Sequence, residues 1–257
     1  MSLIYKDTLK ISQAQLDHWN KTLSNLNPDE IIKWAILTFP NLYQTTAFGL
    51  SGLCILDILN KLGFIVELVF IDTLYHFPQT LDLISKVKTR YPDHKLHVFK
   101  PEGCYTEEQF RDKYGDELWE KDQLKYDFVA KVEPLERAYK QLNIQAVFTG
   151  RRRSQGAARA QLPVVDIDEA VGIVKINPLV NWSFEDVQKY IKLHNVPYNE
   201  LLDLGYKSVG DWHSTSPVKE GEDERSGRWK GQVKTECGIH QTSKYRKFSE
   251  QEEQLDK

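Results

Sequence analysis

Cysteine is scarce in this chain: Cys54, Cys104 and Cys237 are the only three among 257 residues. An odd number at such wide spacing argues against a disulfide framework and for reduced thiols. Three thiols also fall short of a four-thiolate zinc or iron–sulfur site. An excess of either charge is missing too. With 34 Lys and Arg against 37 Asp and Glu the formal net charge is −3, so nothing draws the whole surface to nucleic acid or to a membrane. Anion recognition then has to come from a local patch. No apolar run approaches the ~18 residues of a membrane span. Met1 to Asp7 lack the charged-then-apolar order of a secretory leader, which makes the cytoplasm the expected location. His76, His94, His97, His194 and His213 show no paired ligand spacing, so packing or surface roles account for them and no metal site is expected.

What remains is an ordinary soluble composition, 40% hydrophobic and 28% charged, enough for one large α/β domain or two small ones. Ser12-x-x-Gln15, stapled by Ile11 and Leu16, predicts a helix over 13–24, and Asn27-Pro28-Asp29-Glu30 opens a second to about residue 38. From Tyr43 the pattern becomes a strand over 43–48, a glycine turn, a helix over 51–62 and an apolar strand over 65–71. A helix from Pro78 to Arg90, a strand over 95–99, a helix capped by Thr106, one that Pro134 starts or kinks, and a strand over 145–149 follow. Strands over 164–168 and 172–176 add an antiparallel edge, and Ser183-x-x-Asp186 opens a helix to about His194. Such alternation predicts a mostly parallel, doubly wound α/β sheet with helices on both faces, spanning residues 1–204 with the N-terminal helices. From Gly205 the composition shifts to Gly, Ser, Lys and Glu with scattered Trp and Tyr, which reads as a mobile tail over 205–257.

Ligands on such sheets bind beyond the carboxyl ends of the strands, and three loops fall there. The first, Thr45-Thr46-Ala47-Phe48-Gly49-Leu50-Ser51-Gly52, sets hydroxyls and two glycines ahead of a helix N-terminus, which suits a phosphate or sulfate as well as it suits a plain turn. It is neither a Walker loop nor G-x-G-x-x-G. The second begins with Asp72-Thr73, acceptors for a ribose hydroxyl or an adenine amine, or simply a helix cap. In the third, Arg151-Arg152-Arg153 with Gln155 and Arg159 would repel one another unless an anion or solvent relieves them. A small anionic ligand fits better than a nucleic-acid patch, because no other large basic surface is present. Cys54 falls on an apolar helix face and belongs to the core; Cys104 carries no visible role.

Cys237 alone sits in a polar, glycine-loosened setting, Lys234-Thr235-Glu236-Cys237-Gly238-Ile239-His240, with Arg225, Arg228 and Lys230 just before it. An isolated thiol, with a pKa of about 8.5, is mostly protonated at neutral pH unless cations hold the anion. Taken alone, the stretch reads more readily as a solvated tail with an incidental cysteine than as a site.

In order along the chain, Thr45-Thr46-Ala47-Phe48-Gly49, Asp72-Thr73 with Phe77-Pro78, Lys131-Val132-Glu133-Pro134-Leu135, Arg152-Arg153-x-Gln155 with Arg159, Gly205-Tyr206-x-Ser208-Val209-Gly210-Asp211 and Glu236-Cys237-Gly238-Ile239-His240 resemble the thioredoxin-dependent phosphoadenylyl-sulfate (PAPS) reductases of assimilatory sulfate reduction, fungal type. The resemblance implies an adenine-nucleotide alpha-hydrolase-like fold whose C-terminal lid, 205–257, carries the catalytic Cys237. It implies that Thr45, Thr46 and Gly49, Leu50, Ser51 and Gly52 take the phosphosulfate. By the same resemblance Asp72, Thr73, Gln155 and Tyr206 are expected to complete the substrate site, and Arg152, Arg153 and Arg159 to take phosphate or sulfate charge. Arg228, Lys234 and His240 are expected to favour the thiolate or hold oxyanions. Ala47 stands where bacterial members tend to have serine, which removes one hydroxyl. The related adenylyl-sulfate (APS) reductases carry a [4Fe–4S] cluster on a Cys-Cys pair before Lys-Val-Glu-Pro-Leu; Lys125-Tyr126-Asp127 stands there, so no cluster is expected. Expected partners are PAPS, adenosine 3′,5′-bisphosphate, thioredoxin as reductant and a second copy in a homodimer, with no bound cofactor, nucleic acid or membrane. An ATP-pyrophosphatase relative would share the fold but wants an acid in the loop that reads Ser51-Gly52-Leu53-Cys54; an RNA-binding module would use Arg151 to Arg153 instead.

Overall fold

A computed structural model describes residues 11–230, 234, 236–245 and 248. Met1 to Asp7, Thr235 and the last residues of the expected lid lie outside the described residues. Helices α1 (Gln13–Leu23) and α2 (Pro28–Thr38) begin where reciprocal capping boxes place them: Ser12 with Gln15, and Asn27 with Glu30. The sheet then builds through β1 (Leu42–Thr45), α3 (Leu50–Lys61), β2 (Leu68–Ile71), α4 (Pro78–Arg90) and β3 (Leu96–Phe99). Helices α5 (Glu107–Tyr114), α6 (Leu118–Lys121) and α7 (Gln123–Asp127) lead through a π turn, Phe128–Val132, into α8 (Glu133–Gln141) and β4 (Ala146–Phe148). Strands β5 (Val165–Asp168) and β6 (Ile173–Ile176) and helix α9 (Phe184–Leu193) follow. Pro134 sits in the first turn of α8, at the helix start where it was expected, directly after the π turn.

The strand order is β3-β2-β1-β4-β6-β5, with only the β5–β6 pair antiparallel. The direction of winding reverses between β1 and β4, and that switch point opens a crevice beyond their carboxyl ends. Aliphatic side chains of α2, α3 and α9 bury one face of the sheet. Leu135, Ala138 and Tyr139 of α8 cover Val69 and Val147 on the other. An aromatic cluster of Tyr75, Phe110, Tyr126 and Phe128 closes the far end.

Strand β1 stops at Thr45 rather than at residue 48, because the Thr46 hydroxyl accepts the Phe48 N–H at 2.9 Å and Phe48 turns to a φ of 55°. Among the described residues no helix is long and apolar enough to cross a membrane. The stretch from Gly205, expected to be a mobile tail that closes over the site, is packed over the crevice in its described part. Asp211 is buried, the Trp212 N–H donates to Tyr75 O at 2.9 Å, and Trp229 is buried as well.

Candidate functional site

Two glycines let the strand-end loops meet. A Cβ on Gly150 would lie 3.0 Å from the Gly52 nitrogen, and one on Gly52 would lie 3.0 Å from Thr46 Oγ1. The β4 loop thereby sits directly against the start of α3. Gly49 caps that helix without a side-chain hydrogen bond, so the first-turn N–H groups at Leu50, Ser51 and Gly52 face the crevice with the positive end of the helix dipole. Thr45, Thr46 and Thr73 line the same crevice. The Thr45 hydroxyl donates to Phe148 O at 3.3 Å, and the Thr73 hydroxyl to Asp211 Oδ1 at 2.7 Å.

The arginines come from the opposite wall. Arg152, 2% exposed, donates from Nε to Ser51 Oγ at 2.9 Å and from Nη2 to both oxygens of Glu224 at 2.7 Å. Arg159 grips Glu236 through Nε and Nη2, both at 2.6 Å, and also reaches Gln155. Glu236 Oε1 accepts the Cys237 N–H at 2.9 Å, and Arg225 approaches the same oxygen at 3.3 Å. Half-buried Cys237 lines the crevice, within electrostatic reach of Lys131, Arg225, Arg228 and Lys234. Arg228 lies 4.6 Å over the Trp229 ring and against the backbone of Gly210, where a Cβ would fall 2.2 Å from its Nη2. Its buried Nε has no hydrogen-bond partner. Tyr206 closes the rim, edge-on to Phe77 at 5.6 Å.

Three expected site residues stand elsewhere. Asp72 caps its own turn, accepting the Leu74 N–H at 2.9 Å, and pairs with Lys100 at 3.3 Å. Arg153 faces away because the 3-10 turn Arg153–Gln155 reverses it; it donates to Leu162 O at 2.8 Å and to Asn181 Oδ1 at 2.6 Å. Lys234 is drawn off the crevice by an ion pair with Asp127. His240 does line the crevice but not as a cation: burial, reinforced by Arg151 and Arg159, holds its ring well below the ordinary histidine value, and its Nδ1 is buried without a partner. Lys131, Asp211 and Glu224 line the site without having been singled out for it, and Arg151 and Arg225, noted only as neighbouring basic residues, join them. Lys131 and Asp211 stood inside quoted motifs, whereas Glu224 gave no sequence signal. Burial works against the Lys131 ammonium, yet Asp211 at 2.7 Å and Asp127 at 3.2 Å outweigh it and raise its pKa above the ordinary lysine value. Among the described residues no group of three or more His, Cys, Asp or Glu side chains could hold a metal ion.

Acid should loosen this structure in two windows. Burial holds His94 and His240 below 6.5 and brings His213 down to about 4. The unfolded chain therefore takes up those protons first, and stability falls as the pH drops below 6.5, by about 2 kcal/mol at pH 5 from His213 alone. For Glu236 burial is outweighed by Arg159 and Arg225, which bring its carboxyl to about 2, so its contribution is lost between 4.5 and about 2. Urea midpoints at pH 7.5 and 5 test the upper window: a lower midpoint at pH 5 is expected, and equal midpoints would contradict it.

Fold and site together define an α/β protein whose crevice sets a helix N-terminus against an arginine wall, beside one cysteine. Residues 41–217 match the family model of the phosphoadenosine phosphosulfate reductase domain. The chain is 61% identical to the phosphoadenosine phosphosulfate reductase of Saccharomyces cerevisiae, over 94% of this chain and 95% of that protein. It is 39% identical to an adenosine 5′-phosphosulfate reductase of Halalkalibacterium halodurans, over 89% of this chain and 98% of that one. The crystal structure of phosphoadenylyl-sulfate reductase from Candida auris, a phosphate complex, superposes with a TM-score of 0.77 at 57% identity, covering 82% of this chain and all (100%) of that one. The chain belongs to the phosphoadenosine phosphosulfate reductase family. An FMN adenylyltransferase from Candida glabrata, at 16% identity and a TM-score of 0.56, shares the fold alone.

Proposed function

We propose that this chain reduces PAPS to sulfite and adenosine 3′,5′-bisphosphate, in sulfate assimilation toward cysteine and methionine, with reduced thioredoxin as the electron donor. The observation that carries this reading is Cys237 at the crevice, amid Lys131, Arg225 and Arg228, on the same cavity as the α3 N-terminus. The Cys237 thiolate attacks the sulfur of the phosphosulfate, the bond from that sulfur to the 5′-phosphate oxygen breaks, and adenosine 3′,5′-bisphosphate leaves with the electron pair. The leaving group is already a stabilised anion, so general-acid help is small, and the work lies in neutralising charge and aiming the thiolate in line. A thioredoxin thiolate then attacks Cys237 Sγ, releasing sulfite; the second thioredoxin thiol resolves the mixed disulfide and frees Cys237. The other cysteines, Cys54 and Cys104, are buried in separate clusters, which favours an external dithiol over an internal one. No iron–sulfur cluster takes part in this route. A cytoplasmic homodimer with a lid that opens for thioredoxin belongs to the same reading.

The likeness to adenosine 5′-phosphosulfate reductases favours a second substrate, APS, which lacks the 3′-phosphate. Sulfite release with thioredoxin, compared between PAPS and APS, separates the two. PAPS is expected to lead in kcat/KM by about 10–100-fold, the worth of charge-assisted hydrogen bonds to one phosphate. Equal rates, or faster turnover of APS, would contradict the 3′-phosphorylated substrate.

A further inference from the structure

Asp127 stands outside the crevice, at the end of α7 where the π turn begins, and is buried to 1% exposure. Its carboxylate gathers three groups. Lys131 Nζ lies 3.2 Å away, Lys234 Nζ is in contact, and the Tyr245 hydroxyl donates at 3.2 Å. Lys234 and Tyr245 bracket Cys237 in the sequence, one on each side. Between them the chain is pressed onto the π turn: a Cβ on Gly238 would fall 2.9 Å from the Tyr245 hydroxyl and 3.2 Å from Val132 Cγ2. The π turn is what allows this contact, since its extra residue sets Asp127 and Lys131 toward the segment while Lys131 also reaches Asp211, inside the crevice, at 2.7 Å.

Charges balance within the group. Asp127 and Asp211 face Lys131 and Lys234, so each buried ion has a partner, and losing one leaves another uncompensated. Other anchors of the segment differ in kind. Glu236 is held by Arg159 and Arg225, which themselves line the crevice and so lie in reach of any anionic ligand that enters. Thr242 with Asp168 at 2.5 Å, and Lys175 with Ile239 O at 3.1 Å, hold only the part that follows Cys237. Asp127 alone among these joins both sides of Cys237 and does so from outside the crevice.

We infer that Asp127 is a positioning residue for the Cys237 step, a clasp that holds Lys234 on one side and residues 236–245 on the other and so sets where Sγ stands over bound substrate. The inference rests on the proposed role of Cys237 as nucleophile. A clasp that touches no substrate governs the placement of the thiolate and leaves ground-state binding to the crevice, so its loss lowers kcat at a nearly constant KM.

The test uses the full chain and two variants, Asp127→Asn and Tyr245→Phe, the second keeping the buried ring so that the fold is preserved. Amide hydrogen exchange of the peptide covering 236–245 and the alkylation rate of Cys237 by iodoacetamide are read without substrate, and steady-state constants are read with PAPS. In Tyr245→Phe, exchange in 236–245 should rise about tenfold, the loss of one hydrogen bond to a charged acceptor. Exchange in β1 to β4 should not change, the alkylation rate of Cys237 should shift with the exchange, and kcat should fall while KM stays within about twofold. Unchanged exchange in 236–245, a uniform rise that includes the central strands, or a raised KM with kcat intact would each overturn the inference. Wild-type protein that makes no sulfite from PAPS would defeat the proposed function instead, while the exchange result still decides whether the clasp exists.

Discussion

Cys237→Ser is expected to lower sulfite formation from PAPS by at least about 10³-fold, the scale of losing a nucleophile that acts within a preassembled site. Neither remaining thiol can replace it. Cys54 is fully buried in the sheet core under α9, and burial pushes its thiol far above the ordinary value. Cys104 is buried in the aromatic cluster, and burial raises its thiol as well. Cys104→Ala should therefore leave turnover nearly unchanged, which makes the pair of variants a sharper test than either alone. A Cys237→Ser protein that keeps substantial thioredoxin-dependent turnover, or a Cys104→Ala protein that loses it, would move the chemistry away from Cys237.

The second large effect concerns Arg152. This side chain joins the α3 loop, through Ser51, to the packed-down stretch after Gly205, through Glu224. Both Arg152 and Glu224 are buried, so Arg152→Met leaves a carboxylate without a counter-ion and is expected to cost about 3–5 kcal/mol of stability. Adding Glu224→Gln removes the stranded charge, and the double variant should recover most of that loss. Affinity for PAPS should behave differently. If Arg152 also takes phosphate or sulfate charge, both the single and the double variant bind PAPS at least about tenfold more weakly, because the charge-assisted hydrogen bonds are gone in each. Denaturant melts and equilibrium binding on the same three proteins separate the two roles. Wild-type affinity in the double variant would confine Arg152 to holding Glu224.

The sheet was legible because several of the helices that flank it announce themselves locally. Asn27 with Glu30, and Ser183 with Asp186, are reciprocal caps that fix a helix start from four consecutive residues, and both appear as expected. The switch-point crevice follows from strand alternation, and the glycines of the first loop mark where backbones approach. What could not be read is non-local. Arg152 and Arg153 are identical in type and adjacent, yet one enters the crevice and the other turns out, a distinction made by the 3-10 turn that begins at Arg153. Glu224 and Glu236 join the arginines from 72 and 77 residues away, and no spacing rule connects them. The π turn after Asp127 has no composition signature, so the grouping of Asp127 with Lys131 and Lys234 emerges only from the packed chain. Asp72 is the complementary case. Its position at a strand end made a ligand role reasonable, but its own turn consumes the carboxylate.

Covalent sulfonation of Cys237 should precede the arrival of any reductant. Mass spectrometry of the protein incubated with PAPS in the absence of thioredoxin tests it most directly. A sulfo adduct located on Cys237, discharged as sulfite when reduced thioredoxin is added, is the predicted result. An unmodified Cys237 under conditions that release adenosine 3′,5′-bisphosphate, or an adduct on another residue, would contradict it.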